Sequence, residues 1–346
     1  MRLRTGLRVL WRGPDEVQVG TDPRWAIRIQ GLEPAEVDLL TSLDDGSTDR
    51  ALVTRARAAG IPPARVEELV ALLVHAQLTT PDGAARPAAR PLAASAAPDV
   101  ATWSRLLADG SGAALVDGRS ARVVGLLGLG RLGLSTAVTL AAAGTGTLLL
   151  EDDGDVAAGD LGVGGYTARD VGSPRRMAAA RILRDVAPDV RTTARPGVPP
   201  DVMVLVEHGA ADAVRSRALM SAGVVHLSVV VREADVLVGP LVRPGSSPCL
   251  RCLDLSRTDQ DERWPAVAAQ LASSSRTRGA AEESVLAAIG GALAAGQVLA
   301  ELDGTGPRTV GAALEIALPA AVPEVRTWSV HPSCGCTDLP AALASA

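Results

Sequence analysis

Four cysteines fall into two close pairs with none left over, Cys249-x-x-Cys252 in SPCLRC and Cys334-x-Cys336 in HPSCGC. Two such pairs fit a four-thiolate, tetrahedral Zn²⁺ site of structural rather than catalytic kind. Pro248, Pro332 and Gly335 supply tight turns that aim the sulfurs inward. The alternative is a redox dithiol, but no helix clearly begins at Cys249 to lower a thiol pKa. A disulfide is disfavoured in the cytoplasmic compartment that the rest of the chain suggests. A zinc here clips the end of the chain to the crossover before Leu253.

A second set of residues lies in ARVVGLLGLGRLGLSTAVTLAAAGTGTLLLEDDGDV, Ala121 to Val156. An apolar run leads into Gly128, Gly130 and Gly133, an Ala-rich helical stretch follows, and a second apolar run ends in acids. This spacing predicts one β-α-β unit. Small residues let the backbone approach a phosphate, and the helix opening near Arg131 offers free N–H groups and a positive dipole end. The acidic residues at the end of the second run, 24 positions after Gly128, are placed to meet a ribose hydroxyl.

The elements around these residues are legible in outline. LRVLW, EVQVG and WAIRIQ alternate and predict two or three antiparallel strands. Helices are expected over 34–43, 49–59 and 63–77, which together resemble a small winged-helix module. Residues 81–100, rich in Ala and Pro, read as a linker. From 101 to 338 strands alternate with helices, which predicts an α/β fold with a Rossmann-like, mostly parallel sheet covered by helices on both faces. The segment Glu282 to Leu302 reads as a long helix whose small residues permit close packing.

Composition excludes several partners. The net charge is −5, there is no Lys, no Asn and no Phe, and both signs of charge are spread along the chain. Neither nucleic acid nor an anionic membrane is suggested. No apolar run approaches the roughly 20 residues of a membrane span, and the first residues carry too short an apolar stretch for a secretory signal. A cytoplasmic protein is expected. The histidines His75, His208, His226 and His331 are scattered and read as polar core or surface residues, although His208 lines the strand end where a nucleotide would lie. The five tryptophans, Trp11 among them, read as core or interface anchors. Arg251, Arg257 and Arg263 read as a solvated face.

The glycine turn, the acidic strand end, the helix after Gly172-Ser173-Pro174-Arg175, the CxxC, the small-residue helix and the CxC occur in one order. In that combination the chain resembles the ubiquitin-activating-enzyme-like superfamily, the bacterial ThiF, MoeB and HesA proteins, over about residues 120–337. The resemblance implies ATP with Mg²⁺, adenylylation of the C-terminal carboxylate of a small carrier or modifier protein, and a homodimer. It places the glycines on Gly128, Gly130 and Gly133 and the ribose-binding acid on Asp152, with Asp153 or Asp155 as competitors. The family's lysine falls on Arg175, which keeps the charge but has a different reach and fork geometry.

Other family positions have changed. The asparagine falls on Asp160, the arginine on Val163 and the Mg²⁺-associated aspartate on Ala210, with Glu207 and His208 nearby. Losing one transition-state charge donor costs on the order of 100- to 1,000-fold in rate, so these changes predict a degenerate site unless Arg169, Arg176 or Glu207 substitutes. No cysteine stands in the 256–281 crossover, where some relatives carry a thioester nucleophile.

The N-terminal module, residues 1–80, resembles the PqqD-like element that binds leader peptides, in which an extended peptide adds as a strand. The combination is similar to the ThiF-like leader-binding partner proteins of azoline-forming peptide pathways, which present substrate to a separate cyclodehydratase. The expectation is therefore a peptide- or carrier-binding partner protein on a nucleotide-binding scaffold. The alternative is a working ATP-dependent adenylyltransferase. A turn kept only for packing and an NAD site are the remaining readings of the glycines.

Overall fold

The architecture is that of a computed structural model, which describes residues 2–4, 6–43, 47, 49–80, 86–194, 197–274 and 281–337. Residues 81–85 of the expected linker, 275–280 of the crossover and the domain end at 338 lie outside them. Two compact units divide the chain, Met1–Gly118 and Arg119–Ala346.

The first unit opens with β1 (Arg2–Leu3), β2 (Val9–Gly13), β3 (Glu16–Val19) and β4 (Ile27–Gln30). Strands β2, β3 and β4 form an antiparallel sheet in that order. Alternation puts Val17, Val19 and Ile29 on the buried face. Helices α1 (Pro34–Thr41), α2 (Asp49–Ala58) and α3 (Pro63–His75) follow, and their Val37, Leu40, Leu52, Leu69 and Leu73 close the core. Glu36 caps the start of α1 and binds Arg65 of α3 at 2.7 Å; that partner holds its carboxyl below the usual range. Strand β5 (Thr79–Thr80) pairs with β1, and α4 (Ala97–Leu106) and α5 (Gly112–Arg119) complete the segment. Helix α4 begins inside the stretch expected as linker. Trp11, expected as a core or interface anchor, is 66% exposed on the edge strand β2.

The second unit runs β6 (Val123–Leu127), α6 (Arg131–Ala142), β7 (Thr147–Glu151), α7 (Arg175–Val186), β8 (Val202–His208), α8 (Ala213–Ser221), β9 (His226–Val231), β10 (Asp235–Val242), α9 (Leu250–Gln260), α10 (Trp264–Ser274), α11 (Ser284–Leu302), β11 (Ala312–Ala317) and β12 (Pro323–Thr327). Its sheet has the order β12-β11-β10-β9-β8-β6-β7. Pairings among β7, β6, β8 and β9 are parallel, and those from β9 through β12 are antiparallel. The sheet is thus mixed: the link from β9 to β10 is too short for a parallel crossover. Leu126, Leu148, Val204, Val229 and Val238 pack with Leu132, Leu140, Ala294 and Val298 of α6 and α11 on one face. Leu205 and Met203 meet Leu219 of α8 on the other.

Helix α11 corrects the expectation about apolar runs. Its 19 residues are long and apolar enough to cross a membrane by length and composition. Here the helix lies against α6 and β10, with Leu286, Ala287, Ala294 and Val298 in the core. At its end Asp303 receives the Arg119 guanidinium at 2.6 and 3.0 Å, with side chains only 2% and 1% exposed. Arg119 also donates to the Ala143 carbonyl at the end of α6. Removing the carboxylate strands a buried cation, so Asp303→Ala should lose about 3–5 kcal/mol in urea unfolding. A loss below about 1 kcal/mol, the range of solvent-screened pairs, would contradict the burial.

Candidate functional site

Strand β6 pairs with β7 on one side and β8 on the other, so the chain reverses its direction of winding at β6. At such a switch point the loops leave in opposite directions and open a crevice beyond the carboxyl ends of the strands. The glycine turn lies at that place. Gly128 has φ of +87°, and a Cβ on it would lie 2.5 Å from the Val206 carbonyl oxygen. A Cβ on Gly133 would collide with the Gly128 carbonyl. Both positions therefore exclude any larger residue, whether or not a ligand binds.

Asp152 separates from its competitors by what it touches. Its Oδ2 accepts from the Leu129 N–H in the turn at 2.6 Å, and its Oδ1 from the Gly154 N–H at 2.8 Å. Asp153 and Asp155 are exposed. Arg175 opens α7 and reaches the same place. Its Nη2 lies 2.8 Å from Asp160 Oδ2, its Nε 3.0 Å from the same oxygen, and its Nη1 3.4 Å from Asp152. Burial opposes the charge on Arg175, but hydrogen bonding to Asp160 and the Asp152 charge outweigh it, so its pKa is raised. The fully buried Tyr166 hydroxyl lies 3.0 Å from the Leu129 carbonyl and 3.2 Å from the Arg175 carbonyl. It ties the turn to the start of α7, and burial raises its pKa.

The changed positions are filled differently. Val163 packs against the apolar core. Ala210 follows β8, where Glu207 is engaged by Arg215 and by the Asp212 N–H. Burial raises the Glu207 pKa against those partners. Arg169 and Arg176 are exposed.

A residue that sequence spacing did not single out sits at the centre. Glu282, just before α11, accepts the Leu132 N–H of α6 at 2.6 Å through Oε2, and its Oε1 lies 2.9 Å from His208 Nε2. Arg131 reaches across to the Glu282 and Leu161 carbonyls, each at 2.9 Å. The sequence placed Glu282 only at the start of the long small-residue helix, which begins instead at Ser284 with Glu283 as its cap.

Beside the loop after β8 a pocket of about 230 Å³ is lined by Ala210, Ser228, Arg257 and Trp264. Arg257, expected on a solvated face, instead stacks 4.7 Å over Trp264, and burial lowers its pKa. Arg251 and Arg263 are exposed as expected. His226 is buried against the Val224 carbonyl, where burial lowers its pKa.

The four cysteines converge. Sγ–Sγ separations of 3.9, 3.7 and 3.5 Å join Cys249–Cys252, Cys249–Cys334 and Cys252–Cys336. A tetrahedron with metal–sulfur bonds of about 2.3 Å has edges of about 3.8 Å, so these thiols can hold a metal ion. One expectation is corrected: α9 does begin here, with Cys249 at its N-cap. The helix start alone therefore does not exclude a dithiol, but the convergence of all four sulfurs favours a tetrathiolate. Burial pushes the Cys249 thiol up to about 11.

A model of the ThiF family matches residues 117–336. Among solved structures, E. coli MccB with ATP superposes with a TM-score of 0.68 at 15% identity, over 97% of this chain and 98% of that one. E. coli MccB with MccA gives 0.71 at 16% identity, over 97% and 100%. PaaA gives 0.70 at 17%, over 93% and 98%. No curated protein sequence matches. Elemental analysis of the purified chain should find one metal ion per chain. Cys334→Ser should lose it; equal metal content in both proteins would contradict the four-sulfur site.

Proposed function

Because the chain belongs to the ThiF family, we propose that it binds a peptide or small carrier protein and acts as a degenerate-site partner in peptide modification. The observation that carries this reading is the state of Arg175. Its guanidinium, the one cation inherited at a family site position, is bound to Asp160 and faces Asp152. Val163 and Ala210 supply no charge where the family places an arginine and a metal-linked acid. Carboxylate attack on a phosphate builds negative charge, which needs unanswered cations and Mg²⁺ ligands close by. Here the charge of Arg175 is already answered by the chain.

The relatives support a bound peptide. MccB has been solved with ATP and, separately, with MccA, and the likeness spans nearly the whole of both chains. In this reading residues 1–80 are the peptide-recognition module and a cyclodehydratase supplies the ATP chemistry. Residues 101–338 are the adenylyltransferase-like scaffold, a homodimer with Zn²⁺ on Cys249, Cys252, Cys334 and Cys336, working in the cytoplasm.

A second reading keeps ATP and Mg²⁺ as reactants. It is favoured by the tight turn of Gly128, Gly130 and Gly133, whose Leu129 N–H is held by Asp152, and by the ATP seen in MccB. In it the chain activates a modifier, sulfur-carrier or peptide carboxylate.

The partner reading is tested by titrating the full-length chain with leader peptides encoded beside its gene, followed by calorimetry. Saturable binding in the absence of ATP is expected. No binding of any such peptide would remove the recognition role.

A further inference from the structure

The glycine turn carries an anion of its own. The Glu282 side chain is 6% exposed, and both its oxygens are engaged, one by the Leu132 N–H of α6 and one by His208. A Cβ on Gly130 would lie 2.9 Å from the Glu282 carboxyl carbon and 3.0 Å from Oε2. The carboxylate therefore covers the glycine whose smallness would admit a phosphate. Its position is set by more than its own hydrogen bonds. Arg131 holds the Glu282 carbonyl, and the neighbouring Glu283 caps α11 through the Val285 and Leu286 N–H groups at 2.8 and 3.0 Å. On the other side of the turn, Asp152 takes the Leu129 N–H.

We propose that Glu282 is an internal anion seated at the phosphate position of the glycine turn, so that its carboxylate and a nucleotide phosphate exclude one another. A helix N-terminus has few free N–H groups, and these attract whichever anion is nearest. Two anions cannot occupy the same low-dielectric seat without strong repulsion. A phosphate arriving here must displace a carboxylate that is covalently delivered and already desolvated. The turn is thereby satisfied without ligand, and nucleotide binding is held back by the chain itself. This inference rests on the turn being a nucleotide site and adds how that site is restrained.

The test uses the full-length chain as wild type, Glu282→Gln and Glu282→Ala, each titrated separately with ATP·Mg²⁺ and with pyrophosphate. Glutamine keeps an oxygen for the Leu132 N–H while removing the charge, so the start of α6 stays capped and the fold is preserved. Both variants should bind both ligands about tenfold or more tightly than wild type, while leader-peptide affinity stays unchanged in all three. Equal affinity of the three proteins for ATP would overturn the inference and leave a nucleotide site standing. Binding of neither ligand by any of the folded proteins would also overturn it. The partner reading is judged separately, by the peptide titration.

Discussion

Everything at the candidate site depends on the reversal of strand order at β6. Because β7 lies to one side and β8 to the other, the loops after these strands part and the start of α6 faces the gap between them. The turn can make that bend only with Gly128 in the left-handed region and Gly133 pressed on its carbonyl. The crevice is thus a consequence of topology. What it holds is decided by the charges brought to its walls.

Those charges are largely balanced within the chain. Asp160 and Asp152 answer Arg175, Arg215 answers Glu207, and Glu282 occupies an N–H group of α6 with His208 beside it. In a partly buried site such pairs act at short range and with little screening by salt. The crevice is thus lined with carboxylates from three separate segments. The fold is shared with MccB, whose structure holds ATP, so the proposed loss of catalysis rests on side chains rather than on architecture. A peptide-binding role needs none of these charges free, since a strand added to a sheet edge is held by main-chain hydrogen bonds.

What was legible in the sequence was local. Glycine spacing, the acidic strand end and the period of the helices fixed the β-α-β unit and its neighbours, and the paired cysteines announced their own convergence. The β9–β12 half of the sheet was read as strands, but the direction of its pairing came from a short connection rather than from composition. The start of α9 at Leu250 was missed because Cys249 is a weak capping residue with no helical signal before it. Arg257 was misplaced because its burial depends on Trp264, seven residues on and in a different helix. Glu282 escaped because its partners, the Leu132 N–H and His208, lie 150 and 74 residues away; Asp160 was named as a family position, but its pairing with Arg175 was not read, because such contacts leave no periodic trace in a single sequence. The acids at the end of β7, by contrast, stood out by their spacing, the family resemblance favoured Asp152 among them, and only Asp152 is held by the Leu129 N–H of the turn.

The central claim is that the nucleotide crevice has kept its shape while its catalytic charges have been lost or neutralised. The most direct measurement is ATP–pyrophosphate exchange by the full-length chain with Mg²⁺ and its peptide partner present. The account predicts no exchange above background. Robust exchange that is abolished by Arg175→Ala would contradict it, because it would mean that the cation held by Asp160 still stabilises a reacting phosphate.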